Sequence, residues 1–544
     1  VRPALHALAF VVLLGLASPS APAGPRARVG VASSLEKLRP DDPLPASRAI
    51  SLRAARGECE AAQVAVRAAR GLAALGADVE RLDGLEVNLY RVASLRLARP
   101  SGPDGAAGEW PDPLIPVRDP AFGEARRAFP VAVPAGRLQS IWVEVCVPTD
   151  APPGDRRGAV VVRDRGAPVA RIPLRVHVWP FALPRTPTFV AAFGLSTRLG
   201  TRALGVPDDP AVAQALAASA LRHRLTPFTL SADPPDGRCT ARRCALDWTR
   251  LDAELAPVLD GTLVPGVKGG FAEVRIPAAV WAGPEEDLSA TLRAWRDHFA
   301  ERGWLDRLWV YTLDEPSPAQ LPELARRARL ARQAGLRVFA TLVPHPALEG
   351  LVDVFVPNLT LLPDAPAPRG VRVSYASCLS HGCAEPPAGR RARAQTIRAF
   401  SGWPGYEIDR PATAARAVSW LAARRGLSGE LYYDMLQTWT RDPWTDPRAF
   451  AGNGDGTLLY PGRPTALGGR HPFPIESIRL KVIRDGLEDL ELLRLARAAG
   501  LDALCDRTEA ALVPTARTFA RDAASWLAAR RRLGDALAAR LAVR

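Results

Sequence analysis

The sequence predicts a multidomain chain: an N-terminal β-sandwich, then a (β/α)8 TIM-like barrel, then a helical C-terminal tail. Three observations carry this. The chain has 544 residues, too many for one hydrophobic core, and 47% of them are apolar, enough to fill several. Between Ala49 and Val178 short runs of alternating apolar and polar residues are separated by Pro- and Gly-rich connections, the pattern of a sandwich. From Thr188 short apolar runs alternate with longer stretches of helical period, the pattern of a parallel barrel.

The opening, VRPALHALAFVVLLGLASPSAPAG, has a basic Arg2, an apolar run from Ala7 to Leu16 and small residues at Ala21 and Ala23. It reads as a signal peptide over 1–23, too short in its apolar part to span a bilayer, so the protein is expected to be exported, periplasmic or extracellular. No later segment reads as a transmembrane span. Residues 24–47, rich in Pro, Ala and Asp, read as a poorly ordered lead-in. The sandwich domain is expected over 48–180. Its strands are two within Ala49 to Ala69, then Leu85 to Leu97, Gln139 to Val147, Gly158 to Val162 and Val169 to Val178, with a linker at Pro180 to Pro187.

The barrel is expected over 188–496. Its eight strands are Thr188 to Phe193, Thr226 to Leu230, Phe271 to Ile276, Leu305 to Leu313, Leu336 to Thr341, Val352 to Val356, Val371 to Tyr375 and Glu430 to Tyr433. Amphipathic helices fall at Asp209 to Arg222, Leu288 to Glu301, Gln320 to Ala334 and Ala412 to Arg425. Ile478 to Leu495 is expected to close the barrel wall, and 497–544 to form the helical tail.

The net charge is +14, carried mainly by arginine spread along the chain. Nucleic-acid binders gather such charge on a stripe or tail. Here even Arg326 to Arg332 and Arg530 to Arg532 are interrupted or flanked by Ala and Leu in helical patterns, so nucleic acid is not an expected partner, whereas an acidic polysaccharide or lipid surface stays open. Seven cysteines can form at most three bridges. Cys239 with Cys244 and Cys378 with Cys383 have the spacing to close small loops, and Cys59 and Cys146 could pair across the sandwich. Cys505 would then be a buried free thiol. No cofactor is called for: four thiolates in two distant C-x4-C pairs, with His381 the one nearby histidine, make a poor metal set. Oligomeric state is not read from the sequence.

The chemistry centres on DRLWVYTLDEPSP, Asp306 to Pro318. An apolar strand ends on two adjacent carboxylates, Asp314 and Glu315, and Pro316 is expected to hold Glu315 extended. Ser317, Pro318 and Gln320 then supply the helix start, which leaves both acids free for another task. Acids at the C-terminal end of a barrel strand stand where such barrels carry out catalysis. Paired carboxylates are the ordinary equipment for cleaving a glycosidic bond. Adjacent acids do not easily straddle a sugar ring, however. Their spacing suits substrate assistance, in which the sugar's 2-acetamido carbonyl attacks the anomeric carbon, Asp314 orients the amide, and Glu315 is general acid and then base. A solvated acidic turn is the competing reading.

Here the chain resembles glycoside hydrolase family 123 and its wider relatives with the domain of unknown function 4091. The resemblance rests on the acid pair, on PDPLIP at Pro111 to Pro116, GELYYD at Gly429 to Asp434, NGDGTLLYPG at Asn453 to Gly462 and IESIRLKVIRDGLEDLELL at Ile475 to Leu493. It implies a retaining exo-β-N-acetylhexosaminidase, with N-acetylgalactosamine on glycan or glycolipid ends as the substrate. Candidate substrate-binding residues are Asn358, Tyr375, Tyr433, Asp434 and Trp439, with Tyr433 and Trp439 as sugar-stacking rings. Asn453 and Asp455 are expected to hold a turn. Two departures from the family, Tyr433–Asp434 where a tryptophan is usual and an arginine-rich Ser377 to Ser401, fall in sugar-contacting loops. The alternatives are a glycosidase for a glycan lacking the acetamido group and a non-catalytic carbohydrate-binding protein.

Overall fold

The computed structural model describes residues 27–80, 82–375, 382–384 and 387–542. The expected signal peptide and Cys378 lie outside them. The first ten strands are β1 (Arg28–Ser33), β2 (Ile50–Arg56), β3 (Cys59–Arg67), β4 (Leu72–Glu80), β5 (Glu86–Leu97), β6 (Gly108–Pro116), β7 (Val131–Val133), β8 (Leu138–Cys146), β9 (Gly154–Asp164) and β10 (Ala167–Ala182). They form two five-stranded sheets, ordered β1-β3-β8-β5-β6 and β2-β10-β9-β4-β7. Alternation builds the core between them. Ile172, Leu174, Val176 and Val178 of β10 turn inward between exposed Arg171, Pro173 and Arg175, and pack in one cluster with Val64, Val66, Ile141 and Val143.

Two expectations need correction here. The lead-in is not disordered: Arg28–Ser33 pairs antiparallel with β3, from Arg28↔Arg67 to Ser33↔Ala62. The sheet edge, not local propensity, orders it. Cys59 and Cys146 are bonded, but as direct partners on neighbouring strands β3 and β8 of one sheet, not across the sandwich.

The following strands are β11 (Val190–Leu195), β12 (Thr226–Thr229), a hairpin of β13 (Asp236–Cys239) and β14 (Cys244–Asp247), β15 (Ala272–Glu273), β16 (Leu308–Val310), β17 (Arg337–Ala340), β18 (Val354–Phe355), β19 (Val373–Tyr375) and β20 (Gly429–Tyr432). Cys239 and Cys244 close the hairpin as a disulfide. The other eight strands pair in parallel as two four-stranded sheets, β12-β11-β20-β19 and β15-β16-β17-β18. Parallel bridges Phe355↔Val371 and Asn358↔Tyr375 tie the β18 end to β19. At the opposite margin Gly270 N donates to Thr226 Oγ1 at 3.0 Å, and among the described residues no backbone pairing joins β12 to β15. The single closed barrel expected from the sequence is therefore seen as two half-barrels, with every expected strand present but most of them shortened. Their inner faces meet through Ala192, Phe271, Phe339, Val354 and Val356.

The helix Ile478–Ala498 joins the two halves of the molecule. Every residue from Ile478 to Leu493 is buried, charged ones included. Toward the sandwich, Arg479 grips Asp112 of β6 (Nη2 to Oδ2 2.8 Å), and Glu144 of β8 accepts from Lys481 at 3.0 Å and Arg484 at 2.6 Å. Toward the barrel, Asp489 takes a bidentate pair from Arg416 at 2.6 and 2.9 Å. The C-terminal helices Asp502–Leu512 and Ala523–Ala542 pack onto the same element. Arg530 reaches Asp489 at 3.0 Å and Glu58 at 2.6 Å, and Gly534 lets the Trp179 ring approach so closely that a Cβ there would lie 2.2 Å from it. The tail thus bolts onto both domains. Its Cys505 is a buried free thiol.

Candidate active site

Strand β16 delivers Tyr311, Asp314 and Glu315 to the C-terminal rim of its sheet. Asp314 Oδ1 accepts from the Tyr311 hydroxyl and from Thr341 Oγ1, the latter at 3.3 Å. Thr341 stands directly after β17, so two adjacent strands hold this carboxylate. Burial, followed by the Asp314 hydrogen bond, drives the Tyr311 hydroxyl far above its ordinary value, so it stays a donor.

Glu315 is set differently. Its backbone is left-handed, with φ +40°, not the extended conformation expected ahead of Pro316. Such a geometry costs a non-glycine residue about 1–2 kcal/mol, and it persists here because Glu315 N donates to Thr341 Oγ1 at 2.7 Å. The turn carries the side chain to β19, where the Tyr375 hydroxyl donates to Oε1. Burial first, then this carboxylate, raises the Tyr375 hydroxyl strongly. Both acids are exposed, and Asp314 Oδ2 and Glu315 Oε2 take no hydrogen bond from any described residue. The neighbours therefore anchor one oxygen of each acid and leave the other facing the mouth.

The remaining expected residues divide. Asn358 is 4% exposed beside Tyr375, and its Oδ1 is engaged by Thr360 N at 3.0 Å and Thr360 Oγ1 at 2.8 Å, so it braces the turn after β18. Tyr433 and Asp434 follow β20, next to β19 in the sheet. Tyr433 is half-buried, with its ring edge-on to Phe450 at 5.8 Å. Asp434 is pushed up to about 6 by burial, and accepts from Leu436 N at 2.8 Å. Trp439 is a correction: it is 3% exposed and its indole donates to Leu459 O at 2.8 Å, so it belongs to the core and offers no stacking face. Asn453 and Asp455 are also buried inside, with Asn453 Nδ2 donating to Arg99 O and Asp455 accepting from Tyr432. Cys383 is disulfide-bonded.

Sequence reasoning missed two participants. Thr341 was legible only as the last residue of a strand. Phe450 is 57% exposed with φ +48°, a strained aromatic displayed beside Tyr433. A lone Phe in a loop carries no pattern that would single it out. Among the described residues, no group of three or more His, Cys, Asp or Glu is placed to hold a metal.

An anchored acid pair on the rim of parallel strands fits a glycoside hydrolase, and comparison with known proteins gives that class: a glycosidase. The resemblance to family 123 holds, since residues 397–496 match the family described as glycoside hydrolase 123, catalytic domain. That match spans β20, the NGDGTLLYPG loop and the connecting helix, and does not include Asp314 or Glu315. Over the whole fold, the chain is similar to a family 123 glycoside hydrolase from Clostridium perfringens whose structure was analysed for glycolipid glycan hydrolysis. The TM-score is 0.65 at 11% identity, covering 94% of this chain and 98% of that one. A Bacteroides ovatus GH5 xyloglucanase (TM-score 0.29, 11% identity, 85% and 100% covered) and a family 39 glycoside hydrolase from Bacteroides cellulosilyticus WH2 (0.31, 10%, 81% and 82%) align too loosely to bear on the fold. No curated protein matches the sequence.

Proposed function

We propose that the protein is a retaining exo-β-N-acetylhexosaminidase, selective for N-acetylgalactosamine at the ends of glycans or glycolipids and acting through the sugar's own acetamido group. The two half-barrels work as one (β/α)8 barrel with the acid pair at its mouth. The observation that carries the reading is the division of labour between the acids. Asp314 is fixed on Oδ1 by Tyr311 and Thr341, which leaves Oδ2 to accept the acetamido N–H and turn its carbonyl toward the anomeric carbon. Glu315 is fixed on Oε1 by Tyr375, which leaves Oε2 to give a proton to the leaving oxygen and take one from the incoming water. The glycolipid substrate is suggested by what is named for the Clostridium perfringens structure. Export is supported by the disulfides Cys59–Cys146 and Cys239–Cys244, which suit an oxidising compartment.

Release of 4-nitrophenol from its β-N-acetylgalactosaminide tests the reading. Glu315→Gln is expected to lower kcat by about 10²- to 10⁴-fold, the usual worth of a positioned acid/base. Undiminished turnover would remove Glu315 from that role.

A further inference from the structure

The helix Arg390–Phe400, RRARAQTIRAF, breaks the rules by which the other helices are built. No residue of it is buried. Arg390, Arg391 and Arg393 crowd its first turns, where the positive end of the helix dipole disfavours cations, and Arg398 follows. From residue 387 to 406 there is no Asp or Glu, and among the described residues no carboxylate pairs with any of these four guanidinium groups. On the helix Leu321–Gln333, by contrast, Arg326 and Arg327 are both partnered by Glu323, at 2.8 and 2.7 Å. A like-charged, uncapped helix is unfavourable by itself, and a local violation without a compensating contact marks a functional surface.

In the chain it falls between β19 and β20, whose C-terminal ends carry Tyr375, Tyr433 and Asp434. The helix lies in the connection that leaves β19 just after Tyr375, the tyrosine holding Glu315. Earlier in that connection Cys383 packs against Ala451, the neighbour of Phe450. At the far end Arg517 Nε donates to Ser401 O at 3.1 Å, which fixes the helix on the body.

We propose that this helix is a binding surface for an anionic glycan, so that the substrate carries sulfate or carboxylate groups beyond the sugar that is cleaved. The proposal rests on the glycosidase reading of the mouth. Guanidinium forks bind carboxylate and sulfate oxygens in pairs, and Arg390, Arg391 and Arg398, within about 100° of helix arc, with Arg393 flanking them, match a repeating polyanion. A bilayer is the poorer match. An interfacial helix needs an outward apolar face, whereas here the half-buried Ala392, Thr396 and Phe400 turn toward the protein and Ile397 is the one large apolar side chain displayed.

The test is calorimetric binding of chondroitin sulfate, with neutral dextran as the control polymer, to the full chain and to R390Q/R391Q/R393Q/R398Q. The expected result is binding of chondroitin sulfate but not dextran, weakened about tenfold or more in the variant and by added salt. Turnover of the neutral aryl glycoside and the thermal midpoint should not change. A paired variant, R390Q/R391Q, provides a milder second reading if the fourfold change disturbs folding. Equal affinity in variant and parent overturns the proposal. So does loss of phosphatidylserine-vesicle binding with glycan binding intact, which would assign the helix to membranes. Because binding is read without hydrolysis, an inactive enzyme would count against the proposed reaction while leaving this result decisive.

Discussion

At the barrel mouth, Asp314 and Glu315 are exposed, and each keeps one oxygen without a partner. Between the domains, Asp112, Glu144 and Asp489 are buried, and both oxygens of each are engaged. Asp112 accepts from Arg479 and Tyr460, Glu144 from Lys481, Arg484 and Tyr90, and Asp489 from Arg416, Arg530 and Trp420. The same side chains thus serve two ends. These three saturated acids hold the architecture, whereas the two exposed ones keep an oxygen available to a substrate. The family match over residues 397–496 includes Asp489 and the cations Arg479, Lys481 and Arg484 that hold Asp112 and Glu144, but neither Asp314 nor Glu315, so likeness there concerns the frame more than the reaction.

Three experiments can break or sharpen that contrast. The largest effect is expected at the frame. Arg479→Ala takes from the sealed Asp112 its hydrogen-bonded counter-charge, leaving Tyr460 and the more distant Lys37, and removing one partner of a buried pair costs about 3–5 kcal/mol, to be read as a lower urea midpoint. An unmoved midpoint would mean that the buried pair contributes nothing to stability. Next is Asp314→Asn, expected to lower kcat/KM for the acetamido substrate by about 10²- to 10³-fold while leaving the urea midpoint in place. A destabilised D314N would place this acid with the structural set instead.

The smallest effect concerns pH. Burial pushes Glu488 up to about 8 and Glu58 and Glu60 up to about 7, with nearby arginines pulling the other way. A folded-state value above the unfolded one means the folded chain holds the extra proton. The stability these groups give is complete below the ordinary carboxylate range and is lost as pH rises through 7 to 8. His223 acts from the other side. Burial pushes it down to about 4, so its contribution is present above the ordinary imidazole value and lost as pH falls through 4. Because three glutamates outweigh one histidine, these groups together make stability fall as pH rises from about 4.5 to about 8. Glu488→Gln should flatten the alkaline side by about 1–2 kcal/mol, measured by denaturation at pH values from acid to alkaline.

The strands of the half-barrels were legible because parallel strands covered on both faces read as apolar runs. Their lengths were not, since residues such as Tyr311 and Phe271 extend the run beyond the paired backbone. Edge strand β1 was hidden by its Pro- and Ala-rich surroundings, where pairing with β3 outweighs local preference. The acid pair could be read because two carboxylates end an apolar strand. The left-handed turn at Glu315 could not, because it depends on Thr341, distant in sequence. Trp439 misled for a related reason: a tryptophan in a loop looks displayed until the loop folds back on Leu459. RLKVIRDGLEDLELL was legible as a helix closing the barrel wall, but not as one whose charges the sandwich also buries, because their partners Asp112 and Glu144 lie far away in sequence.

Arg479 binds Asp112 of the sandwich together with the carbonyls of Tyr406, Gly454 and Thr457 from the barrel side. Neither half is consequently a portable module. A fragment expressed from Thr188 onward would strip Arg479, Lys481 and Arg484 of the carboxylates of Asp112 and Glu144 and open the apolar side chains among them to water, and the β-sandwich is best understood as half of a single indivisible scaffold, not as an accessory that evolution or an engineer could trim away.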